Sequence, residues 1–164
     1  KKKVFTLFLF VSLVIIFLLP NLSEGTNFLR SASMSARIES MEKGLVIFRE
    51  NPAIGVGFNG YRYEQYRRGF LQSKDWQRNH AGGGVENSYI FLLATTGVLG
   101  LVAYLFLLFS VIHQAFKKRK KSIFSIVVLS SVIGLMVNAF FINSFFYSFI
   151  LVWLWTLFAV NESI

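Results

Sequence analysis

An all-α integral membrane protein is the fold class this sequence predicts: four transmembrane helices and one long extracytoplasmic loop that carries an amphipathic helix. Three observations lead there. Of the 164 residues, 54% are hydrophobic and 17% aromatic, and the mean hydropathy is positive, too apolar for a soluble domain to hide in a single core. The apolar residues fall in uninterrupted runs separated by one polar stretch, residues 21–87. Eight of the seventeen Lys and Arg sit in two clusters, residues 1–3 and 117–121, each against an apolar run, and basic flanks of that kind stay cytoplasmic. These clusters account for much of the formal charge of +9, so membrane topology and lipid headgroups explain it and no nucleic-acid partner is expected. The lack of cysteine excludes disulfides, a thiol nucleophile and cysteinyl metal sites. The chain opens on Lys1 and not on methionine, so a fragment of a larger polytopic protein is expected.

Residues 1–20 are read as the first span. The apolar run over 4–19 would cover about 24 Å as a helix, close to a bilayer core of roughly 30 Å once lysines snorkel. A signal peptide is the rival reading, but no small-residue cleavage pattern follows the run. Residues 21–87 carry nine basic and seven acidic residues and no apolar run long enough to cross, so they face water. The distant basic flanks put them outside. Residues 88–112, without a charge, form the second span, with Gly97 and Gly100 as a notch that lets another helix approach. Residues 113–122 make a basic cytoplasmic loop with His113 at the interface. Residues 123–160 would measure about 57 Å as one helix, nearly twice a bilayer, and must fold back. Asn138, Asn143 and Ser144 mark that turn, giving spans over 123–141 and 145–160 and a short tail to 164.

Candidate site residues concentrate in the polar segment. Met34, Ile38, Met41, Leu45 and Phe48 recur at helical spacing and predict an amphipathic helix ended by Asn51-Pro52. Arg37 borders that stripe, placed either for a salt bridge or to present a bidentate donor to a phosphate. In the sequence A-I-G-V-G-F-N-G that follows, Gly55, Gly57 and Gly60 either simply turn the chain or let successive N–H groups converge on an anion. Residues 61–78 interleave Arg62, Arg67, Arg68, Lys74 and Arg78 with Tyr61, Tyr63, Tyr66, Phe70 and Trp76, suited to sugars bearing anionic groups or equally to a membrane interface. Glu86, at the mouth of the second span, is either a helix-capping acid or a general base, and His80 is a second proton acceptor.

Taken in order, the arginine helix, N-P-A-I-G-V-G-F-N-G-Y, the aromatic-basic stretch and E-N-S-Y-I-F-L-L-A-T-T-G-V-L-G resemble the C-terminal part of the bacterial O-antigen ligase and polymerase family over residues 33–109. The resemblance implies a polytopic membrane enzyme with further spans upstream, acting without metal or cofactor on undecaprenyl-diphosphate-linked glycans in the cytoplasmic membrane, alongside other envelope-polysaccharide assembly proteins. Arg37 matches the family arginine that engages the diphosphate. Where the family carries a histidine as base, this sequence has Glu86, followed by the matching Asn87. That departure favours a polymerase over a ligase, with Glu86 or His80 taking the acceptor proton. Gly55, Gly57, Asn59, Arg62, Arg67, Arg68, Asn87 and Tyr89 complete the expected substrate site.

The competing expectation is a non-catalytic membrane protein, a transporter portion or envelope scaffold, whose loop binds lipid or a partner. The enzymatic reading needs residues 21–87 outside the cytoplasm for the lipid-linked glycan to reach them. With no native cysteine in this sequence, Ser40→Cys should react with a membrane-impermeant maleimide added to intact cells, and Ser122→Cys should react only after lysis. Cytosolic labelling of position 40 would place the loop on the wrong side.

Overall fold

The computed structural model describes residues 31–71, 77 and 83–163, so the expected first span and His80 lie outside the described residues. Two compact units divide the chain, Lys1–Ala36 and Arg37–Ile164. Of the first, the described part is a helical stretch, residues 31–36. All five elements among the described residues are helices: α1 (Ser31–Glu50), α2 (Gly60–Arg67), α3 (Ser88–Lys118), α4 (Ile123–Asn138) and α5 (Ser148–Ser163).

Helix α1 is built from good helix formers and braced by a Glu39–Lys43 ion pair of 2.6 Å at i,i+4. It stops at Glu50 because Pro52 bars Asn51 from the helical region. The face it buries is rotated from the stripe expected from periodicity, of which Met41, Leu45 and Phe48 are half-buried. Met34 and Ile38 are 62% and 50% exposed, whereas Gly44 and Ile47 are buried. Closest approach decides this: a Cβ on Gly44 would lie 2.8 Å from Ile90 Cγ2 and 2.9 Å from Val85 Cγ2, so the helix turns its bare backbone to its neighbours. Ile47, Tyr61, Val85, Phe91 and Ala94 form the small core that results, with Met41, Val56, Ile90 and Phe146 packed against it.

Helix α3 is the one helix among the described residues long and apolar enough to cross a bilayer. It runs into the basic cluster, ending at Lys118 and not near 112. It is also broken. Gly97 has φ 66° and ψ −168°, outside the helical region, and the notch expected to admit another helix admits a loop instead. In an unbroken helix the Val98 and Leu99 amides would bond to the Ala94 and Thr95 carbonyls. Here Val98 N–H donates to Pro52 O (2.8 Å) and Leu99 N–H to Ala53 O (3.2 Å). The freed carbonyls of Ala94 and Thr95 accept from Val56 N–H (3.0 Å) and Gly57 N–H (2.8 Å). The loop after α1 thus fills the gap in α3 with its own backbone, which meets the rule that buried peptide groups stay paired.

Helices α4 and α5 are 16 residues each, about 24 Å long, and pack with the second half of α3 around Leu108, Val128, Val132, Phe145 and Leu154. Polar ties close both ends of this bundle. At one end Asn87 Oδ1 accepts from the amides of Tyr89 and Ile90 (3.0 Å each), capping α3, and its Nδ2 donates to Phe140 O (3.0 Å). Ser88 Oγ donates to Ile142 O (3.0 Å) and Tyr89 Oη to Met136 O (2.7 Å). At the other end Lys118 Nζ donates to Asn161 O (2.7 Å), and Ser125 Oγ to the buried Asn161 Oδ1 (2.8 Å). The outer faces stay apolar: Phe106, Phe149 and Ile123 are 74%, 73% and 82% exposed, surface suited to lipid and not to water.

Asn87→Ala removes two cap bonds and leaves Phe140 O without its donor, and should destabilise the full-length protein by about 1–3 kcal/mol. Asn87→Asp keeps the cap, loses only the donor, and should melt between the two in a thermal-unfolding assay in detergent.

Candidate functional site

Once docked into α3, the segment Asn51-Pro52-Ala53-Ile54-Gly55-Val56-Gly57 has little left to offer a ligand through its backbone. Gly55 N–H donates to Asn51 O (2.9 Å), and the Val56 and Gly57 amides are committed to α3. The convergent N–H groups that the glycines could have aimed at an anion are therefore consumed inside the chain. What Gly55 and Gly57 supply is conformation, with φ of 64° and 83°. At Gly55 contact also matters, since a Cβ there would fall 2.4 Å from the Thr95 carbonyl carbon.

The chain leaves this docking point at Phe58, whose ring meets Phe91 and Phe146 edge-on, both at 5.2 Å between centroids. Tyr61 meets Phe91 at 5.3 Å and is 2% exposed. Burial pushes its phenol pKa well up, so it stays neutral at physiological pH. Beside these rings opens a cleft of about 260 Å³ lined by Phe58, Asn59, Tyr61, Arg62, Gly83 and Phe91. Asn59 and Arg62 bring polar groups to an aromatic wall, a surface on which a sugar ring can stack while its hydroxyls are hydrogen-bonded. The Arg62 guanidinium also donates to Gln77 O.

Arg67 and Arg68 do not face this cleft as free cations. Arg68 donates both Nη groups to the carboxylate of Glu50 at the end of α1 and reaches Glu64 Oε2 at 3.3 Å. Arg67 Nη2 bonds Glu64 Oε2 at 2.8 Å. The guanidinium of Arg68 holds the Glu50 carboxyl below its ordinary pKa, chiefly through that hydrogen bond. Arg68 thus clamps the end of α2 to the end of α1, while Arg67 braces α2 itself. Asn87 and Tyr89, also expected to touch substrate, are engaged in tying α3 to the turn between α4 and α5 and to the last turn of α4.

Glu86 and Arg37 differ from all of these. Both are exposed, and their side chains form no hydrogen bond or ion pair among the described residues. Glu86 follows Val85, the residue on which Gly44 of α1 packs. Arg37 precedes Gly44 by seven residues, two helical turns, and so lies on the same face of α1 about 10 Å along the axis. Arg49, likewise exposed, is roughly 140° around that helix from Gly44. The face of α1 turned to the start of α3 is thus the one that carries Arg37.

Sequence reasoning missed Phe91 as a wall of the cleft and Phe146 as the ring packed on Phe58 and Phe91, since each sits in an apolar run where a lipid-facing or core position is the default. The tail also reaches the site at Asn143: a Cβ on Gly84 would lie 2.6 Å from its Nδ2. Asn143 Oδ1 and Ser144 Oγ are buried there without a hydrogen-bond partner among the described residues. No group of three or more His, Asp or Glu side chains among the described residues is arranged to hold a metal ion.

Helices throughout the described residues, one of them long and apolar enough to cross a bilayer, and outer faces suited to lipid define the class as a helical membrane protein. The family model described as O-antigen ligase matches residues 1–105, and the chain belongs to that family of membrane proteins. Membership carries a role in O-antigen ligation or polymerisation, by enzymatic glycan transfer from a lipid-linked glycan. No curated protein and no solved structure matches the chain.

The clamp has a pH signature. Because the folded pKa of Glu50 is depressed, its contribution is complete above the ordinary carboxylate pKa and disappears as pH falls through the lower, folded value. Acidification from pH 7 to below 4 should lower the melting temperature of the purified protein more than it lowers that of Glu50→Gln. Equal acid sensitivity of the two would show that the clamp contributes nothing.

Proposed function

We propose that the chain is the C-terminal part of a membrane glycosyltransferase that polymerises, in preference to ligating, undecaprenyl-diphosphate-linked oligosaccharides on the outer face of the bacterial cytoplasmic membrane. One observation carries the reading. With Arg67, Arg68, Asn87 and Tyr89 engaged in holding the fold, Arg37 on α1 and Glu86 at the mouth of α3 are a cation and a carboxylate left exposed. Their chemistry is complementary to the reaction that the family performs.

In that reaction an acceptor hydroxyl oxygen attacks the anomeric carbon of the donor sugar. The carbon–oxygen bond to the lipid diphosphate breaks, and the diphosphate departs with the electron pair. Arg37 neutralises the charge that develops on the departing phosphate oxygens, where a planar two-pronged donor is best matched. Glu86 accepts the hydroxyl proton, the task for which a carboxylate stands here in place of the family histidine. Single displacement inverts the anomeric centre. The cleft bounded by Phe58, Asn59, Tyr61 and Arg62 receives a sugar ring next to this pair, and Gly55 and Gly57 act by shaping the turn that carries it. His80 is the alternative proton acceptor. Partners follow from the substrate: membrane lipid and the other proteins of envelope-polysaccharide assembly.

In a strain whose only copy is the full-length gene, Arg37→Ala and Glu86→Gln should each reduce the polysaccharide ladder by about 100-fold or more with membrane abundance unchanged. Arg37→Lys should recover part of it, since charge survives but the paired donor does not. If Glu86→Gln retains the ladder and His80→Ala abolishes it, the base is His80. Ladders unaffected by Arg37→Ala and by both base substitutions would refute glycosyl transfer at this site and favour a non-catalytic scaffold or transporter portion.

A further inference from the structure

We propose that the interlock between the loop at residues 52–57 and the break in α3 sets the geometry of the reaction, with Gly55 and Gly97 as its positioning residues. This rests on the glycosyl-transfer reading above. The two glycines answer each other across the contact. A Cβ on Gly97 would lie 2.3 Å from the Ala53 carbonyl carbon and oxygen, and a Cβ on Gly55 would lie 2.5 Å from the Thr96 nitrogen. In both cases the obstacle is backbone, which cannot rotate away as a side chain can. Both glycines also have positive φ, 66° and 64°, where an L side chain is strained.

The contact joins the two halves of the site. The loop connects α1, which bears Arg37, to α2, whose start at Asn59–Arg62 lines the cleft. Helix α3 begins just after Glu86. Four backbone hydrogen bonds, Val98 and Leu99 to Pro52 and Ala53 and Val56 and Gly57 to Ala94 and Thr95, hold the loop to α3 at a point about nine residues from its start. Side chains at such a joint could repack; backbone bonds in register allow one spacing only. The diphosphate-binding arm and the proton acceptor are thereby kept at a constant separation, and misplacement by about 1 Å in such an arrangement costs turnover by about 100-fold.

The same bonds predict what happens when the joint opens. Alanine at 97 favours the helical backbone, and a continuous α3 would regain its own bonds from Val98 and Leu99 to Ala94 and Thr95. The loop would then lose all four partners while the helix lost none. A substitution that merely unfolded the protein would instead expose both.

Hydrogen exchange read by mass spectrometry on the full-length protein in lipid nanodiscs separates these outcomes, with turnover measured on the same samples. In the unaltered protein, peptides covering 53–58 and 94–100 should both exchange slowly. Gly97→Ala should speed exchange of the 53–58 peptide by at least about 100-fold and leave 94–100 protected. Turnover should fall by about 100-fold while KM for the lipid-linked donor moves less than about 3-fold, because Arg37 remains exposed to bind it. Gly55→Ala should behave like it, Gly57→Ala more mildly since nothing lies within 4 Å of a Cβ there, and Gly134→Ala, equally open and in regular helix, not at all. Loss of protection in both peptides, or a loop that stays protected with turnover unchanged, would overturn the inference. Loss of loop protection without loss of turnover would also overturn it. Failure of the Arg37 and Glu86 substitutions to affect the ladder would instead remove the catalytic reading, and the exchange result would still report on the interlock itself.

Discussion

A helix that gives up its own hydrogen bonds in an apolar setting must have them replaced, and that requirement governs the arrangement around Gly97. Each unpaired peptide group there would cost on the order of 1–3 kcal/mol, so a bare break of four groups is not a stable option. The loop from Pro52 to Gly57 meets the requirement with two carbonyls and two amides in matching order. Once it is in place, the direction of α1 on one side and α2 on the other is largely settled. The burial of Gly44 against Val85 and Ile90, the edge-on packing of Phe58 on Phe91, and the clamp from Arg68 to Glu50 join the segments on either side of that loop.

The tail helices contribute to the site as well as to the membrane bundle. The family match ends at residue 105, yet Phe146 closes the aromatic cluster behind the cleft, the turn at 139–147 accepts the bonds offered by Asn87 and Ser88, and the last turn of α4 accepts the one offered by Tyr89. A motif that reads as a row of substrate contacts thus divides by direction: three consecutive side chains point to the tail, and Glu86 alone is turned outward. Capping chemistry accounts for Asn87, whose carbonyl oxygen meets two otherwise unpaired amides at the start of α3. The same residue's amide nitrogen reaches the tail, so one side chain both starts a helix and joins two parts of the bundle.

Charge divides in the same way. The polar segment is basic by only two charges over its nine cations and seven anions, and among the described residues its ion pairs brace α1, brace α2 and join the two. Arg67 pairs with Glu64 within α2, while Glu50 and Glu64 draw Arg68 into the joint between α1 and α2, where its side chain is 14% exposed. A guanidinium so enclosed is worth more as a structural tie than an exposed one, because less water competes for it. The cation left outward on the α1 face nearest the α3 mouth is Arg37.

Much was legible without coordinates. Apolar runs separated by charge set the helices and their order, because hydrophobic length and the exclusion of charge from lipid act on each segment alone. Asn51-Pro52 ended α1 for a reason local to two residues, and Arg37 and Glu86 stood out through an ordered set of motifs. The buried face of α1, the break at Gly97 and the employment of Arg67, Arg68, Asn87 and Tyr89 were not legible. Each depends on a partner remote in sequence: Gly44 on Ile90, Gly97 on Ala53, Arg68 on Glu50, Asn87 on Phe140. Periodicity reports which residues share a face of a helix and is silent on which face meets a neighbour. A glycine likewise announces permission for an unusual conformation, and only the chain that packs against it determines whether that permission is used to cradle a ligand or to let two backbones interlock.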